Sequence, residues 1–483
     1  MPNSPLHREC SGIASKHSIT IHPSTTHSTT THSTTTHSTT THSTTSLNAS
    51  PPSSSGFLSS DDLPDLEAIA GTTPFYAYSR ERLTSSAKQA LAFPNAYGLT
   101  VRYAMKALPT RAVLQIFQRE GIKIDASSVF EVERAVKAGY KYEDISLSTQ
   151  ELGEEFVGLV KKGVKVNCCS LDQMRKFGEA FKGTGNTKCG IRINPGVGSG
   201  GFSASTTGFS KTNVGGPTSS FGIWVGSVED GTVGGIVEEY GLEVERIHTH
   251  IGSGSDPEIW KQVATKSLSF AETFPTVTSV NLGGGYKVGR NPDEVSTDLQ
   301  EIGLPVKQAF IDFKEKNGRS IKLEIEPGTF LVANAGCVVS KVQDIVKTSS
   351  YTFLKLDCGM TDLLRPSLYG AIHPVTVLPR AGEEVGTETE EAVIVGHCCE
   401  SGDLMTPLPG EPESLGTRPV RKASIGDYCV IDGSGAYCSG MSTKNYNSFP
   451  EAGEVLVEEG GKGQLIRKRQ QLEQIFQNEL TID

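Results

Sequence analysis

The segment Tyr103-Ala104-Met105-Lys106-Ala107 closes a short apolar run, Leu99 to Met105, and delivers one lysine. An amine at the end of a buried strand loses hydration, which disfavours its charged form. A neutral amine can attack an aldehyde and hold it as a Schiff base. The bland alternative is a lysine that simply points into water. Two glycine-rich turns follow later, Gly252-Ser253-Gly254, one residue after the His248-Thr249-His250 stretch, and Gly283-Gly284-Gly285. Such turns let backbone N–H groups converge on an anion with no Cβ in the way, and a following helix adds its positive end. A carboxylate comes last, in Glu326-Pro327-Gly328-Thr329. An aldehyde for the lysine and a phosphate for the glycine turns describe one compound, pyridoxal phosphate. Glu326 then acquires a chemical role, because a carboxylate beside the pyridine nitrogen keeps it protonated, and a protonated ring is the better electron sink. His250 can lie flat against that ring; its alternative is a satisfied core histidine.

These residues must be brought together, and the intervening pattern does it. Short β-type runs alternate with turns and amphipathic helices. The runs are Leu99–Lys106, Ile122–Ser127, Asp144–Ser148, Val164–Cys169, Cys189–Asn194, Arg246–Gly252, Ser279–Leu282 and Lys322–Glu326. Phe130 to Gly139 shows helical spacing, with apolar Val132, Ala135 and Val136 and a glycine stop. Eight strand-helix units in ~230 residues are what a closed (β/α)8 barrel of the α/β class requires. In such barrels reactive side chains sit at the C-terminal ends of the strands. Lys106, Asp125, Arg192, Asn194, His250 and Glu326 all fall there. The stretch from Gly196 to Phe221 is rich in Gly, Ser and Thr and follows the fifth strand, so it reads as a flap over the site or as an inert insertion.

After Glu326 the texture changes to β-type runs separated by long turns. The expected organisation is a barrel over residues 79–332 and an antiparallel β domain from residues 61–78 and 333–465. A C-terminal helix over 466–483 and a disordered tail over 1–60 complete it. In that tail Thr-His-Ser-Thr-Thr recurs every five residues from His27 to His42, and Glu9 is the sole acid before Asp61. Such a segment has almost nothing to bury. Its histidines could bind a divalent metal weakly, or the repeat could have no function. A Ser/Thr-rich, acid-poor start also resembles an organelle transit peptide, with Arg8 and Lys16 as its basic residues.

The formal charge of -10 argues against nucleic acid as a main partner, and the lack of a long apolar run argues against a membrane span. The 10 cysteines show no metal-type spacing, and Cys168-Cys169 and Cys398-Cys399 are adjacent pairs, which rarely bridge to each other. They read as reduced thiols of a cytoplasmic protein.

Taken in order, Tyr103–Ala107, His248–Ser253, Gly283–Gly285, Glu326-Pro327-Gly328, Cys399-Glu400-Ser401-Gly402-Asp403 and Gly435-Ala436-Tyr437 resemble the motifs of the fold-type III pyridoxal phosphate decarboxylases. This is the ornithine, diaminopimelate and arginine decarboxylase family, with the alanine racemase-like fold. The resemblance covers roughly residues 73–457 and is greatest to the diaminopimelate decarboxylases. It implies that Lys106 carries the cofactor and that the substrate is a small amino acid. It also implies a head-to-tail homodimer with shared active sites. Cys399 of the second subunit would return a proton to Cα, with Glu400 and Asp403 near the substrate's distal end. Ser253, Gly284 and Tyr437 would hold the phosphate, beside Gly283 and Gly285. Arg192 would lie near the ring's phenolic oxygen, and Asp125, Pro327, Gly328 and Thr329 would border the cofactor. Arg365 and Tyr369, in Arg365-Pro366-Ser367-Leu368-Tyr369, would bind substrate together with Tyr437.

One position departs from the pattern. The family places a second arginine for the distal carboxylate directly after Glu-Pro-Gly, and Thr329 stands there instead. Losing one partner of a buried charged pair costs roughly 3–5 kcal/mol. The resemblance therefore implies a diaminopimelate decarboxylase-like enzyme first, and a decarboxylase of D-lysine or D-ornithine second. A racemase would want an arginine at the pyridine nitrogen, where Glu326 stands. A non-catalytic homologue would have lost Lys106 or Cys399, and both are present.

Overall fold

The computed structural model describes residues 56–196, 199–200, 215–250, 252–380, 382–383 and 386–482. All but residues 56–60 of the expected tail, and residues 201–214 of the expected flap, lie outside them, as does the side chain of Ser253. Strand β1 (Phe75–Ser79) leads into the helix Arg80–Leu91, where Ser79 Oγ caps the first turn by accepting from the Arg82 N–H at 3.2 Å. Eight strands then alternate with helices. They are β2 (Leu99–Ala104), β3 (Lys123–Ala126), β4 (Ile145–Leu147), β5 (Lys165–Cys168), β6 (Lys188–Asn194), β7 (Glu243–Thr249), β8 (Ser279–Asn281) and β9 (Lys322–Ile325). They pair in parallel in the order β5-β4-β3-β2-β9-β8-β7-β6, and β5 pairs with β6 to close the ring. This is the barrel the alternation predicts. The helix Val129–Ala138 shows why the spacing works: Val132, Ala135 and Ala138 are buried, Ser128 caps the start and Gly139, at φ 110°, ends it.

The barrel interior carries a charged layer. Arg102 on β2 donates from Nε to Glu324 Oε2 on β9 at 2.9 Å, and Arg246 Nε on β7 lies 3.4 Å from the same oxygen. Arg246 Nη1 also donates to Asn167 Oδ1 at 3.0 Å and Ser146 Oγ at 3.2 Å. Strand side chains alternate, so the residue two positions on sits one layer nearer the C-terminal mouth. On β7 and just past the end of β9 those residues are His248 and Glu326.

The second sheet contains β10 (Gly336–Lys347), β11 (Thr352–Leu356), β12 (Val375–Leu378), β13 (Thr389–Val395), β14 (Arg418–Arg421), β15 (Tyr428–Ile431), β16 (Gly453–Val457) and β17 (Gly463–Arg467). Its order is β14-β13-β11-β10-β1-β16-β17, with β15 pairing β10 and β12. The domain is mostly antiparallel, as expected, with two parallel pairings, β1 with β16 and β11 with β13. β1 does join it, and alternation sorts its side chains. Tyr76 and Tyr78 enter the core shared with the barrel, while Phe75 and Ala77 enter a second core. A helix at Leu63–Ala70, not evident in the sequence pattern, covers that second core with Leu63 and Leu66. Glu67 fastens it by accepting from Tyr428 Oη at 2.5 Å and pairing with Lys341 at 2.6 Å.

The expected C-terminal helix over 466–483 does not form. Gly463–Arg467 pairs with β16, and the sole helical piece among the described residues there is Glu473–Phe476. Arg467 is drawn into the sheet by two acids, Glu451 at 3.0 Å and the fully buried Glu454 at 3.3 Å. A polar segment with no apolar stripe has little to gain from helix packing, so strand pairing and a buried charge decide.

At the other end, Phe57 lies beneath the Arg82 guanidinium at 5.2 Å and packs with Leu58 on the second core. Removing residues 1–55 should leave the thermal unfolding midpoint unchanged. Removing residues 1–58 should lower it, through a burial loss of about 1–2 kcal/mol. Scanning calorimetry of the two truncations checks this; unfolding of the shorter truncation would contradict it.

Candidate active site

Glu326, just beyond β9, is buried and held from two sides. Its Oε2 lies 3.1 Å from His248 Nε2, and its Oε1 accepts from Asn281 Nδ2 at 2.5 Å. Burial pushes the carboxyl up, but the contacts with His248, His250 and Asn281 outweigh it and hold it well below the usual carboxylate range. Burial also lowers the His248 imidazole, and the Glu326 contact restores that only in part. The pair therefore carries one net negative charge, deep in the barrel mouth. Asp125 on β3 shares this field. It is buried, its Oδ1 has no hydrogen-bond partner among the described residues, and burial, followed by the Glu326 charge, pushes its carboxyl far up.

Lys106 is not at the end of a buried strand. β2 ends at Ala104, and Met105–Ala107 form a short 3-10 turn that buries Met105 and Ala107 and exposes Lys106. The described protein does not dehydrate this amine. It faces a cavity of about 370 Å³ whose wall also includes Ser128, Ser148, Thr149, Arg192 and Phe221. Arg192, from β6, is buried with its guanidinium 5.1 Å from the Phe221 ring centre.

The triglycine turn forms a cradle that side chains would fill. A Cβ on Gly284 would sit 2.4 Å from the Glu326 carbonyl oxygen, and one on Gly283 would sit 2.9 Å from the His250 side chain. Gly283 and Gly285 also take φ of 71° and 103°, which favour glycine. The amides of Gly284 and Gly285 donate to no partner among the described residues. His250 is held beside them, its Nδ1 accepting from the Gly252 N–H at 3.1 Å, and burial keeps it neutral, well below its usual value. Tyr437 enters from the β domain and donates its N–H to Ala107 O at 2.8 Å. Its φ of 57° is rare for a bulky residue. An ionised buried carboxylate, an available amine and unpaired turn amides fit a phosphate-bearing pyridine aldehyde.

Residues 81–333 match the family model "Pyridoxal-dependent decarboxylase, pyridoxal binding domain". The chain belongs to the pyridoxal-dependent decarboxylases. It is 33% identical to the diaminopimelate decarboxylase of Escherichia coli K12 over 387 residues, 79% of this chain and 88% of that one. It is also 33% identical to that of Streptomyces coelicolor over 428 residues, 87% and 92% of the two chains. A crystal structure of diaminopimelate decarboxylase superposes with a TM-score of 0.79 at 30% identity, covering 89% of this chain and 98% of the other. Pyridoxal phosphate is the cofactor of this decarboxylase; when bound it supplies the electron sink for the pair left behind as carbon dioxide departs.

The decarboxylase's other expected residues lie elsewhere. Cys399 and Glu400 are exposed on the loop after β13, lining an open cavity of about 780 Å³ together with His397, Phe449 and Arg469. Lys106 is not among its walls. Asp403, expected near substrate, is a loop anchor instead: it is buried, with Oδ1 accepting from Met360 N–H at 2.6 Å and Oδ2 from Cys398 N–H at 2.8 Å. Gly359 and Gly396 pack closely against its carboxylate, although Asp403 also lines the same cavity. Arg365 is buried and donates from Nη1 to His373 Nε2 at 3.4 Å; Tyr369 is half-buried at the end of the same short helix. Thr329 is half-buried at the start of another.

Sequence reasoning assigned no role to His248 or Asn281, which fix Glu326. The signal existed. His248 and His250 are two apart on a run whose pattern predicts a strand, so both face one way, and Asn281 stands two before Gly283, whose N–H it accepts at 2.8 Å.

The Cys399 loop contains its own titration marker. The His397 ring stacks on Phe449 at 3.6 Å, its Nε2 lies 2.7 Å from Thr361 Oγ1, and burial lowers the imidazole to about 4. An unfolded histidine titrates near ~6.5. The stability His397 contributes is thus complete above that value and is lost as pH falls towards the folded value. Thermal midpoints measured from pH 7 to 4 should fall less steeply for His397→Asn than for the wild type. Parallel curves would refute the assignment.

Proposed function

We propose that this decarboxylase converts meso-diaminopimelate to L-lysine and carbon dioxide. The observation that carries the substrate is Arg365. It is buried, it stands in no ion pair among the described residues, and it belongs to the Arg-Pro-Ser-Leu-Tyr segment. A buried guanidinium without an acid is suited to a carboxylate brought by the substrate. The named relatives support the same reading. Lys106 would hold the cofactor, Glu326 would keep the pyridine nitrogen charged, and the Gly284 and Gly285 amides with Ser253 and Tyr437 would hold the phosphate. A held negative charge at Glu326 suits a protonated pyridine and a strong electron sink, where a racemase would want an arginine at that nitrogen. Thr329 favours a second reading, decarboxylation of D-lysine or D-ornithine, which lack the distal carboxylate.

We also propose a homodimer with shared sites. Supporting it, Cys399 and Glu400 are exposed in a cavity that Lys106 does not line, so a proton donor at Cys399 would serve the barrel of a second copy. The nine free cysteines among the described residues suit a reducing compartment, the cytoplasm.

Carbon dioxide release measured on meso-diaminopimelate, L- and D-lysine and L- and D-ornithine tests the substrate. The highest kcat/KM is expected for diaminopimelate; preference for a monocarboxylate would install the second reading. For the dimer, Lys106→Ala should lack the cofactor's visible absorption, and Cys399→Ala should retain it with slow turnover. Mixing the two under subunit exchange should recover about a quarter of wild-type activity, since half the dimers would be hybrids with one intact site. No recovery would argue against shared sites.

A further inference from the structure

Arg365 does not stand alone: a second buried guanidinium that the proposed chemistry does not yet use lies with it. Arg290 follows the triglycine turn and Arg365 sits on its short helix; they are 5% and 6% exposed. His373, 2% exposed, lies with them. Its Nδ1 is 3.0 Å from the Asp432 carbonyl and so donates there, leaving Nε2 to accept from Arg365. Burial, then the two guanidiniums, keep His373 neutral, so it adds no charge and removes none. Arg290 donates from Nε to Gly433 O at 3.0 Å, and its Nη2 has no hydrogen-bond partner among the described residues. Neither arginine is in an ion pair among the described residues. The nearby acid, Glu294, uses Oε2 to accept from the backbone N–H groups of Arg290 and Asn291 at 2.7 and 3.2 Å. Burial, and then the charge of Arg365, lower Arg290 to about 9.

Two guanidiniums buried within each other's field, with a donor left over, are costly unless an anion joins them. The cofactor's phosphate is one source of that anion. The turn amides of Gly284 and Gly285 already provide for it, whereas Arg290 and Arg365 are tied to one segment, Arg290 through Gly433 O and Arg365 through His373 to Asp432 O. Both also lie in the field of Tyr437, whose N–H is bonded to the residue after Lys106. The turn carrying Arg290 is tied to the segment that begins at Thr329, because Asn334 Nδ2 donates to Gly289 O at 2.8 Å.

We propose that Arg290 is a specificity-determining residue: with Arg365 it clamps the distal carboxylate of a dicarboxylic amino acid, supplying from the turn after the triglycine the charge that Thr329 does not supply. The inference rests on the diaminopimelate reading and gives it the missing half of its carboxylate site.

The test uses holoenzyme of the wild type, Arg290→Met, Arg290→Lys and Arg290→Met/Thr329→Arg. D-lysine is diaminopimelate without the distal carboxylate, so the ratio of kcat/KM between the two substrates isolates the clamp. Arg290→Met should lower that ratio roughly 100-fold or more, Arg290→Lys should lower it less, and the double variant should restore part of it. Cofactor affinity, followed by absorption, should not change. An unchanged ratio, or a loss of cofactor affinity that places Arg290 on the phosphate, overturns the proposal. If the wild type consumes D-lysine and not diaminopimelate, the functional reading fails by itself. The clamp is then scored with diaminopimelate as an inhibitor of D-lysine turnover: weaker inhibition of Arg290→Met supports it, and equal inhibition overturns it.

Discussion

Two carboxylates two residues apart, Glu324 on β9 and Glu326 just past its end, face the inside of a closed barrel, and both are buried. Neither would remain ionised there unaided. Glu324 is answered by Arg102 and Arg246, which bring it to about 2 despite its burial. Glu326 is answered by His248 and Asn281. The partners come from β2, β7 and β8, so the charges can be satisfied only if the barrel closes in this order. The lower layer is a structural pair, and removing one member of such a pair costs about 3–5 kcal/mol. The upper layer repeats the arrangement with weaker partners, a neutral histidine and an amide. That difference leaves the Glu326 charge without a full counter-charge from its own partners, where a pyridine ring can use it.

The barrel was legible because its signal repeats. Eight short runs with turns and helices between them leave little freedom, and the strand bounds fall within a few residues of those read from the sequence. The site was legible where a residue type announces its chemistry, as with Lys106, Glu326 and the glycine turns. The exposure of Lys106 was not legible: it depends on β2 stopping at Ala104 and giving way to a 3-10 turn, a tertiary choice that composition does not encode. The role of Asp403 was hidden for the opposite reason. In the sequence it stands beside Cys399 and Glu400 and shares their polarity. In space, Gly359 and Gly396 bring two amides against its carboxylate, and it becomes part of the loop's frame. The C-terminal segment misled because its polar, helix-forming residues outnumber the one interaction that mattered, between Arg467 and the buried Glu454.

Arg290 illustrates a further limit. Read by motif, position 329 is a deficit, because a threonine stands where an arginine is expected. Read by structure, the deficit is local to one helix, and a guanidinium is present on the adjoining turn. A binding site needs charge at a place in space, and several chain positions can reach the same place. Motif comparison counts positions, so it registers the loss and misses a gain that lies outside the motif.

The same reasoning explains why the mouth is rigid on one side and open on the other. Gly283 packs on Thr249 O and the His250 side chain, and Gly284 on the Glu326 carbonyl, too close to admit a Cβ; His248 and Asn281 hold the Glu326 carboxylate itself, and a charge held that firmly does not have to reorganise when electron density shifts toward it. Lys106 lies opposite, exposed on a turn with a flexible four-carbon stem. A group that must release one partner and take up another benefits from that freedom, while a group that must stabilise developing charge benefits from having none. The barrel supplies both because its strands finish differently: Ile325 pairs with Val101, so β9 ends first with Glu326 still in the core, while β2 runs on to Ala104 and then turns outward.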